Sequence, residues 1–198
     1  MLLDELPASV PQAAPLRQVL AMMQGAVERF QHTIEDLTDV SRLQQAHAQP
    51  AEAVNLGELI ENVRLDLAPQ LAAVCAQLEV DVDPCAGLTF SPKNLRSVVY
   101  NLLSNAVKYR APDRPLHVRL RCYSADAATV LEVQDNGLGL DMQQQGKLFG
   151  MFVRLHDHVP GSGIGLYMVK KIAENAGGTI TVHSQPGVGT TFVVTLPG

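Results

Sequence analysis

The sequence predicts an α+β domain, built as a two-layer α/β sandwich with helices on one face of a mostly antiparallel sheet, preceded by a long helical arm. Apolar residues recur at alternating intervals of four and three over positions 16–37, which is typical of a helix that packs along one seam. Runs of alternating apolar and polar residues at 115–123 and 128–134 predict neighbouring strands. Two glycine clusters then enclose a long loop that leads into an apolar helix.

Composition sets limits on the class of protein. The chain has 198 residues with 46% hydrophobic and 18% charged residues, enough to bury a sizeable core. A net charge of −5 without a basic run disfavours a nucleic-acid partner, and no apolar run reaches the length of a membrane span. The three cysteines are widely spaced, and we expect reduced thiols at Cys75, Cys85 and Cys122. These features predict a cytoplasmic protein, or the cytoplasmic part of a larger one.

The arm is expected to pair with another helix. Its seam consists of seven apolar residues, Leu16, Leu20, Met23, Val27, Phe30, Ile34 and Leu37. A lone helix would expose this stripe, so we expect a partner helix from a second copy of the chain, giving a homodimer. The alternative is that the arm packs on its own domain.

The remaining elements follow in order. A polar stretch containing Pro50 predicts a linker at 48–55. A helix follows near 56–75, which Pro69 should kink or divide, and Ser91-Pro92 should cap and start a second long helix. Short strands are expected at 78–83 and 88–90, a helix at about 162–176, and a hairpin from the runs 179–184 and 190–196.

The helix after Pro92 carries candidate metal and phosphate ligands. Asn101, Asn105 and Lys108 lie at i, i+4 and i+7, so they share one face while the leucines point to the core. Oxygen ligands suit Mg²⁺, which takes few from the protein and completes its shell with phosphates and water. A solvated helix face is the alternative for these residues considered alone.

The glycine clusters favour a nucleotide site over that alternative. Asp135, at a strand end before a turn, can accept a hydrogen bond from the exocyclic amine of adenine. Gly137 and Gly139 would let the backbone approach a flat base. A second cluster stands at a helix start, where backbone N–H groups favour phosphate; its glycines are Gly161, Gly163 and Gly165.

These motifs together resemble the catalytic ATP-binding domain of bacterial sensor histidine kinases, which has the Bergerat (GHKL) fold. The asparagine helix resembles the N box, and the two glycine boxes resemble residues 135–139 and 161–166. The phenylalanine box is similar to residues 148–152, and the final glycine–threonine motif is similar to residues 187–192. The arm resembles the second helix of the dimerisation and phosphotransfer hairpin. The resemblance implies three units: a partial hairpin at 1–47, the linker at 48–55 and the ATP-binding catalytic domain at 56–198.

The resemblance also implies roles for individual residues. ATP and Mg²⁺ are the expected ligands, with Asn105 on the metal and Asn101 close to it. Catalytic roles in phosphate contact and positioning fall on Asn101, Lys108 and Arg154. The nucleotide-binding set is Asn105, Tyr109, Asp135, Gly137, Gly139, Phe149, Phe152, Gly161, Gly163, Gly165, Leu166 and Thr190. Phe149 and Phe152 would anchor a lid formed by the long connection 141–160.

Two features bear on the reaction. In the hydrolytic branches of the superfamily that the motifs resemble, a water-activating glutamate occupies the position of Asn101. A carboxamide cannot act as a general base. Transfer of the γ-phosphoryl group to a histidine, and onward to a response-regulator receiver domain, is therefore favoured over hydrolysis. The usual acceptor context is absent, and the plain surface reading is favoured for His32 and the other histidines. We therefore expect a fragment that binds ATP without phosphorylating itself; a GHKL-type ATPase and a non-catalytic dimeric scaffold are the alternatives.

Overall fold

The computed structural model describes residues 16–27, 30, 34, 38, 50–82, 85, 88–126, 128–154 and 162–197. The expected end of a first hairpin helix at 1–6 lies outside these residues, as do His32, His47, His156 and His158. The described part of the arm is helical from 16 to 27 and at 30, 34 and 38. No helix among the described residues is long and apolar enough to cross a membrane.

The arm exposes its apolar seam. Met23 is 60% exposed, Val27 55% and Phe30 66%, and Leu16 and Ile34 are about half exposed. The described residues of the catalytic domain therefore do not cover this stripe, which argues against the alternative that the arm packs on its own domain. Leu37 lies outside the described residues.

Among the described residues, five helices and seven strands follow the arm. The helices are α1 (Leu56–Asp66), α2 (Ala68–Ala73), α3 (Pro92–Lys108), α4 (Met142–Lys147) and α5 (Gly165–Asn175). The strands are β1 (Glu52–Ala53), β2 (Gln77–Asp81), β3 (Thr89–Phe90), β4 (His117–Ala125), β5 (Ala128–Asp135), β6 (Thr179–Gln185) and β7 (Gly189–Pro197). The chain divides between α1 and α2 at Leu67, with Pro69 in the first turn of α2, as the sequence predicts.

The main sheet has five strands in the order β2-β4-β5-β7-β6. The β2–β4 pair is parallel and the other three pairs are antiparallel. Helices α1, α3 and α5 contribute buried residues to one core with the sheet, among them Val98, Val169, Leu120 and Val194 at 0% exposure. The predicted α+β sandwich with a mostly antiparallel sheet is confirmed.

Two observations differ from the sequence expectations. Glu52 and Ala53, placed in the linker, form β1 and pair with β3, and Val54 after them is buried. Cys85 and Cys122 form a disulfide across 37 residues, so the expectation of reduced thiols is wrong for both, while Cys75 is a free, exposed cysteine. Spacing along the sequence could not show that the segment before β3 brings Cys85 onto the buried side of β4.

Candidate functional site

Helix α3 presents the predicted asparagines beside the start of α5. The Ser91 hydroxyl accepts from the N–H of Asn94 at 3.3 Å, which fixes where α3 begins. Buried leucines anchor the opposite face, so Asn101 and Asn105 lie half-buried on one stripe and Lys108 is exposed near its end. The carboxamide of Asn101 donates to the carbonyl of Ser97 at 2.8 Å. This bond fixes the orientation of the side chain.

The oxygen of Asn101 lies against the first residue of α5. A Cβ placed on Gly165 would be 2.3 Å from Asn101 Oδ1, a distance no side chain could occupy without displacing the asparagine. Glycine at this position therefore permits direct contact between the asparagine stripe and the start of α5. The two motifs, about sixty residues apart in sequence, form one site.

Helix α5 begins beside this stripe, at Gly165. Ile164, at the N-cap, is fully buried, and within the described residues no side chain caps the helix there. The first N–H groups of a helix lack intrahelical partners and carry a partial positive charge. An anion such as a phosphate group can satisfy them.

Asp135 ends β5 at the opposite end of the predicted site. Its carboxylate accepts from the N–H of Gly137 at 2.8 Å and from the backbone N–H of Thr190. Burial raises the pKa of Asp135 to about 6, and these two hydrogen bonds oppose the rise. A carboxylate held by backbone donors and largely removed from water is well suited to accept a hydrogen bond from a base.

Gly137 and Gly139 are needed for close packing of protein backbone. A Cβ on Gly137 would lie 2.5 Å from the carbonyl oxygen of Tyr109, and one on Gly139 would lie 1.9 Å from that of Gln185. Gly139 also has φ +69°, a conformation that favours glycine. The sequence predicted glycines here for approach to the base; the atoms they approach in the structure belong to the protein.

Tyr109 at the end of α3 lies within electrostatic range of Arg154. Tyr109 is half-buried, and its carbonyl accepts from the N–H of Leu138 at 2.9 Å. Burial raises the pKa of Tyr109, and the nearby Arg154 cation opposes this rise. Arg154, predicted as a phosphate contact, therefore lies close to the tyrosine predicted beside the base.

Ser184 connects the first glycine cluster to β7. Its hydroxyl accepts from the N–H of Leu140 at 2.8 Å, and it lies 2.8 Å from both the carbonyl of Gly189 and the hydroxyl of Thr190. Gln145 on α4 donates to the carbonyls of Leu140 and Ser184. The predicted Thr190 is thus buried in a hydrogen-bonded network.

The sequence does not predict four residues that order this region, namely Arg114, Asn136, Ser184 and Gln145. The Asn136 carboxamide accepts from the N–H of His117 at 2.9 Å and donates to the carbonyl of Pro115 at 2.9 Å. Arg114 donates to three backbone carbonyls in the same region. A single arginine in a loop or a single serine in a strand gives no sequence signal of this kind, whereas Asn136, inside the glycine motif, could have been considered.

The described part of the predicted lid contains Phe149 and Phe152. Phe149 packs against the core, while Phe152 is 50% exposed and has φ +62°. Gly163, with φ +75°, lies against the backbone there, since its Cβ would be 2.8 Å from the carbonyl carbon of Phe152. Leu166 packs on the core. Gly161 lies outside the described residues.

The donor set around α3 fits magnesium only in combination with phosphate. The described residues contain no cluster of three or more histidine, cysteine, aspartate or glutamate side chains that could hold a metal ion. Asn101 and Asn105 offer carboxamide oxygens, a ligand type that Mg²⁺ accepts when phosphates and water complete its shell. The residues therefore fit a magnesium–nucleotide complex better than a free metal ion.

A groove of about 570 Å³ lies on the outer face of the sheet, lined by Arg119, His117 and His183 among others. These side chains point away from the helices, and Arg119 is paired with Glu79 at 2.8 Å. Asp135 borders the groove, but the asparagine stripe and the start of α5 lie on the other face. The groove therefore shares Asp135 and Thr190 with the predicted nucleotide site but does not include its asparagine stripe.

Comparisons with known proteins identify the family of this chain. Residues 90–198 match the model of the family described as histidine kinase-, DNA gyrase B-, and HSP90-like ATPase. The sensor protein RprX of Bacteroides fragilis (strain YCH46) is 27% identical over 203 residues, which cover 100% of this chain and 39% of that protein. The chain thus spans about two fifths of the length of this relative.

Solved structures show the same fold. The mycobacterial sensor histidine kinase MprB has a TM-score of 0.63 and 30% identity, covering 75% of this chain and 97% of that one. Full-length ShkA in complex with AMPPNP has a TM-score of 0.77 and 22% identity, covering 99% of this chain and 41% of that one. The chain therefore belongs to the family of histidine kinase-, DNA gyrase B- and HSP90-like ATPases and carries an ATP-binding domain of the sensor histidine kinase type.

Proposed function

We propose that this chain is the kinase core of a two-component sensor histidine kinase, which binds Mg-ATP and transfers the γ-phosphoryl group to a histidine other than those of this chain. The carrying observation is the contact between the Asn101 carboxamide and the start of α5 through Gly165. A residue unable to act as a general base therefore lies beside the helix start to which we assign phosphate binding.

The base-binding roles follow from burial and hydrogen bonding. Asp135 accepts from the exocyclic amine of adenine, because its carboxylate is held in place by the N–H groups of Gly137 and Thr190. Tyr109, half-buried at the end of α3, lies beside the base. Together they select adenine by hydrogen bonding and apolar contact.

The phosphate-binding roles fall at the junction of α3 and α5. Asn105 is the metal ligand, with Asn101 close to the metal, and the N–H groups at the start of α5 receive phosphate oxygens. Lys108 and Arg154 supply positive charge to the phosphates, and Gly163 allows the lid backbone to turn beside them. Bound Mg²⁺ would neutralise charge that develops on the phosphate oxygens during transfer.

The reaction needs positioning more than acid–base chemistry. A ring nitrogen of the acceptor histidine bonds to the γ-phosphorus as the bond from phosphorus to the β–γ bridging oxygen breaks, and ADP leaves. The residues of this chain hold the triphosphate in line with the acceptor and stabilise its charge. Water attack is not assisted, because Asn101 cannot remove a proton from water.

The partners follow from the exposed arm and from the family. Sensor histidine kinases generally dimerise and signal to response regulators. The exposed seam of Met23, Val27 and Phe30 supports a homodimer through the arm, with a receiver domain as the downstream acceptor. Because the proposed substrate ATP is available in the cytoplasm, we place this chain there.

The test is calorimetric titration of Mg-ATP into the protein, followed by a phosphotransfer assay. We expect saturable binding, no labelling of the isolated chain by [γ-³²P]ATP, and no steady phosphate release. Labelling of the purified chain would contradict the assignment of the acceptor elsewhere. Steady phosphate release would favour a GHKL-type ATPase, and a folded chain that does not bind nucleotide would favour a non-catalytic scaffold.

A further inference from the structure

Arg114 lies in the loop between α3 and β4 and makes three hydrogen bonds to backbone carbonyls. Its Nε donates to the carbonyl of Asn136 at 2.8 Å, and one Nη donates to those of Gly137 at 2.9 Å and Gly187 at 2.6 Å. The Arg114 side chain is half-buried, and its acceptors come from two separate loops. One guanidinium thus joins the first glycine cluster to the β6–β7 turn.

One of these acceptors leads directly to Asp135. The carbonyl of Asn136 and the N–H of Gly137 belong to the same peptide group. Arg114 donates to the oxygen of that peptide group, and the N–H of the same group, that of Gly137, donates to Asp135 Oδ1 at 2.8 Å. Because hydrogen bonds in a chain polarise one another, a cation at the oxygen strengthens the donor at the nitrogen.

We propose that Arg114 is a positioning residue for adenine recognition, which orients the peptide group between Asn136 and Gly137 so that its N–H holds the Asp135 carboxylate toward the base. This inference rests on the proposed ATP site. Arg114 touches no ligand in this role; it acts through one peptide group and through the hairpin turn. The N–H of Gly187 donates to the carbonyl of Leu138 at 2.7 Å, which closes the same arrangement from the other side.

The geometry requires arginine in particular. Three carbonyl oxygens from two loops converge on one side chain, and without a cation their dipoles would repel one another. A guanidinium presents donors in a fixed planar fork, whereas the lysine ammonium is a point charge on a flexible chain. Lysine should therefore restore the charge but only part of the alignment.

The test compares Arg114→Ala and Arg114→Lys with Arg119→Ala as a matched control. Arg119 is an exposed arginine on β4 that pairs with Glu79 on the outer face of the sheet, and its removal changes the net charge by the same amount. Two quantities are measured: the affinity for Mg-ATP by calorimetry, and the pKa of the Asp135 carboxyl in the ligand-free protein by carbon-13 NMR. The second readout does not depend on nucleotide binding.

We expect Arg114→Ala to weaken Mg-ATP binding by about tenfold, the order expected for a lost charge-assisted hydrogen bond. The pKa of Asp135 should rise above the parent's value, because the N–H that stabilises its ionised form is weakened. Arg114→Lys should recover part of both effects, and Arg119→Ala should change neither.

A folded Arg114→Ala protein with the parent's affinity and an unchanged Asp135 pKa would overturn the inference. If Arg114→Ala does not fold, Arg114→Lys carries the test, and an unchanged affinity and Asp135 pKa there would overturn it equally. If the parent protein fails to bind Mg-ATP, the proposed function fails. A raised pKa of Asp135 in Arg114→Ala would still support the connection from Arg114 to the carboxylate in that case.

Discussion

The two halves of the candidate site differ in how their polar groups are satisfied. In the base half, formed by 109–114, 135–140 and 184–190, side chains bind backbone groups. Arg114 donates to three carbonyls, and Asn136 bonds one N–H and one carbonyl. Ser184 bonds the N–H of Leu140 and the carbonyl of Gly189. In the phosphate half, formed by Asn101, Asn105 and 162–167, helix α5 starts without a side-chain cap among the described residues.

This difference indicates that the two halves bind by different routes. The base half is already ordered by protein–protein hydrogen bonds, so little further ordering is needed when adenine enters. The phosphate half holds backbone donors whose natural partners are anions, so its order should increase when the triphosphate arrives. We therefore expect the base half to be ordered before the ligand binds and the phosphate half to become ordered on binding.

The largest expected effect concerns the scaffold that both halves share. The disulfide between Cys85 and Cys122 closes a loop of 37 residues, and its loss should reduce the free energy of unfolding by about 4 kcal/mol on the chain-entropy account. Denaturant unfolding of a Cys75→Ser protein, with and without a phosphine reductant, measures this. In reduced protein that remains folded, the affinity for adenosine and the affinity for Mg-ATP should each be the same as in the oxidised protein.

A thiol count provides the control for that prediction. The protein as purified under non-reducing conditions should show one reactive thiol after denaturation, that of Cys75. Three thiols, together with identical unfolding curves in the two conditions, would mean that Cys85 and Cys122 are not paired.

The second effect separates stability from binding in the base half. Asp135→Asn should weaken Mg-ATP binding by about a hundredfold, because the amide replaces an acceptor with a donor opposite the exocyclic amine. The same change should stabilise the ligand-free protein at pH 7.5 by about 1 to 3 kcal/mol, since an ionised carboxylate no longer has to be buried. Calorimetry and denaturant unfolding measure the two quantities.

The sign of the stability effect follows from the raised pKa. Between the ordinary value of 3.8 and the folded value of about 6, the folded protein binds more protons at Asp135 than the unfolded chain does. Stability from this group is therefore lost as the pH rises through that range. If Asp135→Asn were less stable than the parent at neutral pH, the burial of the carboxylate would be refuted.

The third effect perturbs the phosphate half alone. Gly165→Ala places a Cβ 2.3 Å from Asn101 Oδ1 and must displace the asparagine. We expect affinity for Mg-ATP to fall by about tenfold, the order of one lost polar contact with a charged group, and affinity for adenosine to stay unchanged. Gly146→Ala is the matched control, because the structure shows nothing within 4 Å of its Cβ position. Equal losses for adenosine and Mg-ATP would show that the halves are not independent.

The smallest effect is the pH dependence of base binding. Lowering the pH from 7.5 to 5.5 should weaken adenosine binding by about fourfold, because Asp135 becomes largely protonated below a pKa of about 6. Adenosine is used because it carries no titrating phosphate. An NMR titration of the parent beside Asp135→Asn measures this, and a pH-independent affinity in the parent would contradict the assigned role of Asp135.

Much of the fold could be predicted because its signals are local. The cap at Ser91, the proline at position 69 and the alternation along β4 and β5 each depend on neighbouring residues in the chain. The disulfide could not be predicted, because it joins a segment before β3 to the interior face of β4. Strand β1 was missed because a two-residue pairing leaves almost no periodic pattern.

The site was predictable in its ligand-facing residues and less so in their supports. Asn101, Asn105 and Asp135 stand in patterned motifs, whereas Arg114 and Ser184 act through backbone groups that lie many residues away. The glycines show a related limit. Their positions could be predicted, but the structure shows Gly137 and Gly139 against the carbonyls of Tyr109 and Gln185.

Adenine should therefore enter a preformed half of the site, while the phosphates order the other half. Amide hydrogen exchange with and without a non-hydrolysable Mg-ATP analogue tests this difference. We predict strong added protection for the amides of 165–167, which lack intrahelical partners at the start of α5. We expect little change for the amides of 136–138, 140 and 187, which are already hydrogen-bonded. Equal added protection in both halves would contradict the claim, and no protection in either half would contradict nucleotide binding at this site.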